Sequence, residues 1–195
     1  MSETTQEQQL TGRWVFDPQH CRIGFSTRHA MVTKIRGAFN DFYGEAIYDA
    51  DQPDASEVKL EVQMNSVDTR NAQRDEHLRS ADFFDVATYP TMTFVSHKID
   101  EVDQDEFVVV GDLTIRDMTR QVSIPLALVG VHADQYGQTR AGFEGSRRIN
   151  RKDWGVTWNA ALDGGGVIVS DKISLEFELS LVKQSDEVVP GPVSA

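Results

Sequence analysis

Apolar and polar residues alternate with a period of two along much of this chain. The clearest example runs through residues 167–183, where the apolar positions are Val167, Val169, Ile173, Leu175, Phe177, Leu179 and Leu181. The same alternation recurs at 58–64, 107–115 and 122–128. A period of two predicts β-strands with one apolar and one polar face, which is typical of antiparallel sheets with one side in water.

These alternating stretches predict about eight strands. They fall near residues 13–17, 22–27, 34–48, 56–64, 91–99, 107–115, 121–131 and 168–183, with a further candidate at 138–150. Several of them are long, and long strands with unpaired edges promote aggregation unless the sheet closes on itself. The predicted fold class is therefore all-β, an eight-stranded antiparallel barrel with one or two short helices.

One stretch departs from the β pattern. Residues 71–79 are rich in good helix formers and contain no β-branched residue. Asn71 is suited to cap the helix, and the acidic Asp75 and Glu76 complement its N-terminal end. The spacing of Asp75 and Arg79 permits an ion pair on one face. We expect a short helix that leads into an apolar pair at 83–84.

A single domain is the simplest interpretation of 195 residues without an internal linker or repeat. The polar start of the chain predicts a disordered N-terminal tail at 1–11. The loose sequence at the other end predicts a second disordered tail at 184–195. The barrel domain is then expected to span residues 12–183.

Charge and composition narrow the function further. A net charge of −12 repels phosphate backbones and argues against a nucleic acid as partner. The N-terminus has neither the basic nor the apolar region of a secretory signal, and no apolar run reaches the roughly 20 residues that span a bilayer. The single cysteine, Cys21, excludes an intrachain disulfide. These features predict a cytoplasmic protein without a transmembrane segment.

Motifs that carry catalysis or metal binding are missing from the sequence. It contains no Gly-x-Ser-x-Gly elbow, no His-Glu-x-x-His and no Walker loop. The glycines at 164–166 precede a predicted strand, which favours a turn over a phosphate loop. Strand pairing could bring His20, His29 and His97 together around a metal, but ordinary histidines are the favoured interpretation. We therefore predict no catalytic residue, no metal and no cofactor.

One basic cluster stands out in this acidic chain. Its members are Arg147, Arg148, Arg151 and Lys152. The favoured interpretation is a solvated strand end. The alternative is an anchor for a phosphate or other polar head group at a barrel mouth, since the planar guanidinium binds phosphate oxygens with two parallel hydrogen bonds. Trp154 and Trp158 follow closely and are placed either to cap an apolar opening or to fill the core.

Four stretches, taken in order, resemble the YceI-like, polyisoprenoid-binding family. They read WVFDPQH at 14–20, RDEHLRSADFFD at 74–85, YPTMTF at 89–94 and GDLTIRDMTR at 111–120. The resemblance extends over about 12–183. Cys21 stands where this family usually has serine, and Asp117 where it usually has glycine. The resemblance implies a lipocalin-like barrel of eight antiparallel strands that holds a long polyisoprenoid chain in a tubular apolar cavity.

The resulting hypothesis is a carrier of an isoprenoid-type lipid, such as a polyprenyl chain or an isoprenoid quinone. Twelve residues are predicted to form the apolar lining, from the apolar positions of the alternating strands and from the helix that closes one end. They are Phe25, Phe39, Leu60, Val62, Met64, Leu78, Phe84, Phe94, Leu113, Leu126, Trp154 and Phe177. Arg147, Arg148 and Arg151 are the candidate residues for the head group.

Two other function classes stay open at this stage. One is an enzyme that acts on a lipid-like or quinone-like substrate inside the barrel, with His29, Asp75 and Arg147 as its polar groups. The other is an interaction protein whose barrel core is solid. Homodimerisation is compatible with such a barrel, and nothing in the sequence specifies it.

Overall fold

The computed structural model describes residues 9–52 and 55–185. Strands and one α-helix, α1 (Ala72–Arg79), account for most of them. The strands are β1 (Gly12–Phe16), β2 (Arg22–His29), β3 (Thr33–Phe39), β4 (Phe42–Tyr48), β5 (Glu57–Gln63), β6 (Val67–Asp68), β7 (Thr91–Asp103), β8 (Glu106–Ile115), β9 (Met118–Ala133), β10 (Thr139–Asn150) and β11 (Lys172–Lys183). Short 3₁₀ turns follow β5 at Met64–Ser66 and β10 at Arg151–Trp154.

The strands form one closed antiparallel barrel. Hydrogen bonding runs in the order β1-β4-β5-β7-β8-β9-β10-β11, and β1 pairs with β11 to close it. The pairs β1/β2, β3/β4 and β5/β6 are consecutive in sequence, so each pair is one long, bent barrel strand. The prediction of an eight-stranded antiparallel barrel with a short helix is therefore confirmed. The predicted strands at 13–17 and 22–27 share one barrel position, and the candidate at 138–150 forms β10.

A polar cluster holds the bend between β1 and β2. The Arg140 guanidinium on β10 donates to Asp17 Oδ2 over 2.7 Å, and His20 Nδ1 lies 2.7 Å from the same oxygen. Partial burial acts to raise the pKa of Asp17, but the hydrogen bonds from Arg140 and His20 outweigh it, and the pKa lies below its usual value. Ser180 N donates to Cys21 Sγ over 3.1 Å. Burial raises the pKa of this thiol.

Helix α1 begins as its sequence predicts. Asn71 Oδ1 accepts a hydrogen bond from Arg74 N over 2.9 Å, which confirms the expected N-cap. The ion pair that the spacing of Asp75 and Arg79 permits is replaced by other contacts. Asp75 is buried and accepts from the backbone N and the hydroxyl of Thr69, whereas Arg79 donates to the carbonyl oxygens of Asn65 and Val67. Both side chains therefore fasten the helix to β6 and its flanking residues.

The two ends of the barrel differ in construction. The helix end carries α1, the β2–β3 turn, the 3₁₀ turn Arg151–Trp154 and the long segment 155–171 that leads to β11. The hairpin end carries the β7–β8 and β9–β10 turns and the start of β1. Most of the described non-strand chain that covers the barrel thus lies at the helix end.

At the hairpin end, contacts of the described residues include Leu10 and Gln184, which flank the predicted barrel domain. Leu10 is buried, and Trp14 Nε1 donates to its carbonyl oxygen over 2.7 Å. At the other terminus, Gln184 N donates to Arg13 O over 2.8 Å. The rest of the two predicted tails, 1–8 and 186–195, lies outside the described residues.

Candidate ligand-binding cavities

A first cavity of about 130 Å³ occupies the barrel interior towards the hairpin end. Its walls are aliphatic and aromatic side chains, and Tyr48 and Thr93 bring the hydroxyl groups among its lining residues. Seven of the predicted lining residues are on its wall: Phe39, Leu60, Val62, Phe94, Leu113, Leu126 and Phe177. The period-two pattern places these side chains inside because alternate residues of a strand face the same side.

A second cavity of about 100 Å³ lies towards the helix end. The remaining predicted residues are on its wall, together with Phe39 again: Phe25, Met64, Leu78, Phe84 and Trp154. Thr27 and Arg151 are its polar lining residues. Thr27 Oγ1 is shielded from solvent and has no hydrogen-bond partner among the residues that the structure describes. An unpaired buried hydroxyl costs free energy, so this atom is a vacant hydrogen-bonding position in an apolar wall.

Phe39, Met92 and Leu175 line both cavities and therefore mark where the two adjoin. Phe39 is held in an aromatic row, with ring centroids 5.6 Å from Phe25 and 5.9 Å from Phe84. An apolar cavity of about 150 Å³ in another protein binds benzene. Each cavity here therefore matches one ring or one branched five-carbon unit. A longer guest that spans both cavities passes the shared side chains, of which the methionine adapts most easily.

The sequence analysis did not nominate several other residues that line the first cavity. Leu10 and Trp14 close its hairpin end, and Phe107 and Phe143 meet there edge to face with centroids 5.9 Å apart. Phe107 and Phe143 stand at alternating apolar positions, so the same parity argument nominates them too. Leu10 carries no such signal, because it precedes the first strand and its place depends on tertiary contact.

The hydrogen-bonded pairing between β9 and β10 ends before the helix end of the barrel, which leaves a gap in the strand ladder. Their pairing stops at Gly145 and Leu126, beyond which β10 pairs with β11 alone. Pro125 lies beside this point and has no N–H to donate. A Cβ at Gly145 would lie 2.2 Å from Pro125 O, so the strands approach closely there and then diverge. The first inward position beyond the divergence is Arg147.

The three predicted head-group arginines occupy different environments. Arg147 is paired in register with Leu175, so it shares the inward parity, whereas Arg148 is paired with Ser174 on the outer face. Both are exposed, and neither side chain has a hydrogen-bond or ion-pair partner in the described part of the chain. Arg151 is buried and donates to the carbonyl oxygens of Ser170, Val156 and Trp158 at 3.0, 2.7 and 2.8 Å. Its burial lowers its pKa.

Arg151 thereby anchors the segment 155–171 over the helix end. Trp158 on this segment packs against His77 and Phe83, with ring centroids 4.6 and 5.2 Å away. Trp154 is buried and donates from Nε1 to Leu113 O over 2.9 Å. Trp154 is therefore a wall of the second cavity, while Trp158 is part of the cover at this end.

The groups that an enzyme or metal site would require are dispersed. His20 contacts Asp17, and His97 Nε2 lies 2.8 Å from Asp112 Oδ2. Asp75 is engaged with Thr69, and no hydrogen bond links it to His29 or Arg147 in the described residues. Within 9–52 and 55–185, no three His, Cys, Asp or Glu side chains are arranged to hold a metal ion. No helix of this part of the chain is long and apolar enough to cross a membrane.

Comparisons of the sequence with known proteins agree on one family. A profile of the YceI-like domain matches residues 14–181. A relative from Azotobacter vinelandii is 38% identical over 151 residues, which cover 76% of this chain and 79% of the relative. Protein YceI of Escherichia coli is 39% identical over 138 residues, which cover 71% of this chain and 72% of the relative.

Solved structures share the fold. BcnA of Burkholderia cenocepacia matches with a TM-score of 0.74 at 24% identity, over 85% of this chain and 98% of its own. The YCEI protein of Campylobacter jejuni gives 0.69 at 26% identity, over 81% and 90%. A polyisoprenoid binding domain from Saccharophagus degradans gives 0.67 at 14% identity, over 88% and 98%. The family profile covers most of the present chain, and the sequence relatives and the strand order agree with it. This chain therefore belongs to the YceI-like family.

Proposed function

We propose that this protein is a carrier that binds an isoprenoid-type lipid inside its barrel. The observation that carries the proposal is the pair of adjoining apolar cavities, which follow one another along the barrel interior. A related fold from Saccharophagus degradans is described as a polyisoprenoid binding domain, which supports the same ligand class. A polyprenyl chain and the tail of an isoprenoid quinone both have the branched five-carbon units that these cavities match.

Burial of the hydrocarbon tail supplies most of the binding free energy in this proposal. At about 0.8 kcal/mol per buried CH₂, a five-carbon unit contributes roughly 3–4 kcal/mol before the cost of ordering the ligand. The two cavities together accept about two units without rearrangement. Affinity should therefore rise with chain length, steeply over the first units and less so once Phe39 and Met92 have to move.

The polar end of the ligand is assigned to the helix end of the interior. The first cavity is apolar apart from two hydroxyl groups, whereas the second contains the unpaired Thr27 hydroxyl, and Arg147 lies beside the gap in the β9–β10 ladder. A phosphate or quinone oxygen in this region would accept hydrogen bonds from both. Arg148 faces outward and Arg151 is engaged with backbone carbonyls, so the proposal leaves the head group to Arg147.

Carriage is favoured over catalysis by the composition of the walls. Among the residues that line the two cavities, Tyr48 and Arg151 are the ones with titratable side chains. General acid–base or nucleophilic chemistry needs a titratable group within hydrogen-bond reach of the substrate. The guanidinium of Arg151 is occupied by three carbonyl oxygens, and a phenol at the hairpin end is remote from the assigned polar end.

The test is extraction of freshly purified protein with organic solvent, followed by mass spectrometry of the extract. We expect an isoprenoid lipid in stoichiometric amount. Leu60→Trp should fill the first cavity and abolish retention, while Val102→Trp, at a 61% exposed position outside the barrel, should retain the lipid. A cooperative thermal unfolding transition in each variant is the control for folding. A protein that neither co-purifies with a lipid nor binds added polyprenol contradicts the proposal.

A further inference from the structure

The turn between β2 and β3 exposes two large apolar side chains at the helix end. Met31 is 70% exposed and Val32 is 77% exposed. The adjoining segment 155–171 adds Val167, which is 39% exposed. The two pieces are joined by hydrogen bonds from Ala30 N to Ile168 O (2.7 Å) and from Ser170 N to Arg28 O (3.1 Å). Met31, Val32 and Val167 are called the apolar tip below.

The backbone of this turn is unusual for its residues. Val32 N donates to His29 O over 3.1 Å, and the two central residues, Ala30 and Met31, have φ of 49° and 60°. Both lie in the left-handed region, where Asn and Gly are favoured and side chains with a Cβ are strained. The chain therefore presents a methionine at a position where Gly would make a more stable turn.

Positive charge is concentrated on the strands beside the apolar tip, in a chain that is otherwise acidic, whereas the segment 155–171 itself carries Asp163 and Asp171 and no Lys or Arg. Residues 22–40 contain four Arg or Lys and no Asp or Glu, against a net charge of −12 for the whole chain. The β10–β11–β2–β3 register places five cationic residues on the same outer face of four adjacent strands: Arg28, Lys34, Arg36, Arg148 and Lys172. Glu176 lies among them and is engaged by Ser26, Lys34 and Arg22.

The opposite end of the barrel has the opposite charge. Residues 100–106 at the β7–β8 turn contain five Asp or Glu and no Lys or Arg. The molecule therefore carries an electrostatic asymmetry along the barrel. An anionic surface attracts the helix end and repels the hairpin end, which orients the protein as it approaches.

We propose that the apolar tip and the cations around it dock on the surface of an anionic lipid bilayer. Exposed methionine and valine insert between the head groups, and nearby Arg and Lys pair with lipid phosphates, as amphipathic membrane-binding surfaces do. Docking in this orientation brings the gap in the β9–β10 ladder and the helix-end cavity close to the membrane. The inference stands on this surface and does not require the cavity ligand proposed above.

The experiment is co-sedimentation of the full chain with vesicles at low ionic strength. We expect binding to vesicles of phosphatidylglycerol mixed with phosphatidylcholine, weak binding to phosphatidylcholine alone, and loss of binding at high salt because exposed charges are screened. Met31→Ser combined with Val32→Ser should lower the partition coefficient about tenfold, and Arg36→Gln combined with Lys172→Gln should do the same. Val102→Ser combined with Val129→Ser is the control on exposed valines elsewhere and should bind as the parent does.

A second variant separates docking from folding. Ala30→Asn combined with Met31→Gly supplies the residues that the turn favours, so it should unfold at a higher temperature and yet bind vesicles more weakly. The proposal is overturned if the parent protein does not bind phosphatidylglycerol vesicles. It is also overturned if the serine variants of the apolar tip and the glutamine variants of the cations bind as well as the parent. Binding of a short-chain prenol in solution without vesicles should be unchanged in the tip variants, which distinguishes failure here from failure of the carrier function.

Discussion

Arg147 and Leu175 are direct cross-strand partners in the β10–β11 pair, and Leu175 lines both cavities. Cross-strand partners point to the same face of a sheet, so an unpaired guanidinium occupies an inward position at the edge of an apolar interior. The Arg147 side chain stays exposed because β9 and β10 diverge beside it. This relationship is the basis for placing a polar head group at Arg147, and it makes the role of each arginine separable by mutation.

Substitution of Arg147 should weaken binding of a charged ligand selectively. Arg147→Gln removes a guanidinium that donates to phosphate, so we expect about a tenfold loss of affinity for a short prenyl phosphate and little change for the matching prenol. Arg148→Gln is the matched control, because the same change one residue later lies on the outer face. Calorimetric titration in vesicle-free buffer measures both. Equal affinity losses in the two variants would contradict the assignment.

The unpaired hydroxyl of Thr27 gives a prediction in which stability and binding change in opposite directions. Thr27→Val replaces a buried hydroxyl without a partner by a methyl group of similar shape, which should stabilise the ligand-free protein by about 1 kcal/mol. The same change should weaken binding of a prenol or quinone, whose oxygen loses a donor, and spare a pure hydrocarbon such as squalene. Thermal unfolding and competitive binding check the two parts. Destabilisation of the ligand-free protein would show that Thr27 already has a partner.

Arg151 is expected to act on stability through its geometry as well as its charge. Arg151→Lys keeps a cation but cannot reach the carbonyl oxygens of Ser170, Val156 and Trp158 with one planar fork. We expect a loss of about 1–3 kcal/mol in the free energy of unfolding. Urea unfolding measures this loss. If Arg151 were instead a head-group anchor, the lysine variant would keep its stability and lose affinity for prenyl phosphate.

The sequence predicts those features of this molecule that depend on local pattern. Period-two alternation places the side chains of β5, β8 and β11 correctly because the parity of a strand is a local property. The N-cap at Asn71 is equally local. The basic cluster shows the limit of this reasoning, since Arg147, Arg148 and Arg151 look alike along the chain. The β10–β11 register and the divergence of β9 distinguish Arg147 from Arg148, and the carbonyl oxygens of the segment 155–171 distinguish Arg151 from both. All of these features belong to the tertiary structure.

The distribution of the lining residues along the interior was also beyond sequence reasoning. The prediction treated twelve lining residues as members of one cavity, and the structure places seven of them on the wall of the first cavity and six on that of the second, with Phe39 on both. Inward parity says which side of a sheet a residue faces, but not how far its side chain crosses the barrel. That distance depends on the rotamers and on neighbours such as Phe25 and Phe84, which hold the Phe39 ring in place.

Acid should weaken the fold partly through Asp17, whose pKa in the folded protein is lower than usual despite the opposing effect of burial. A lowered pKa means that the unfolded chain binds this proton more readily than the folded protein does. The carboxylate therefore contributes its full stability above the pKa of the unfolded chain, 3.8. That contribution is lost as the pH falls through the lower pKa of the folded protein. Asp17→Asn should therefore reduce the free energy of unfolding at pH 7 by about 1–3 kcal/mol, since Arg140 and His20 lose their shared partner. The difference between parent and variant should shrink below pH about 4. Urea unfolding across this range measures it, with Glu106→Gln, an exposed carboxylate in the β7–β8 turn region, as the control. A difference that stays constant from pH 7 to the acid limit would mean that Asp17 supports the β1–β2 bend by shape rather than by charge.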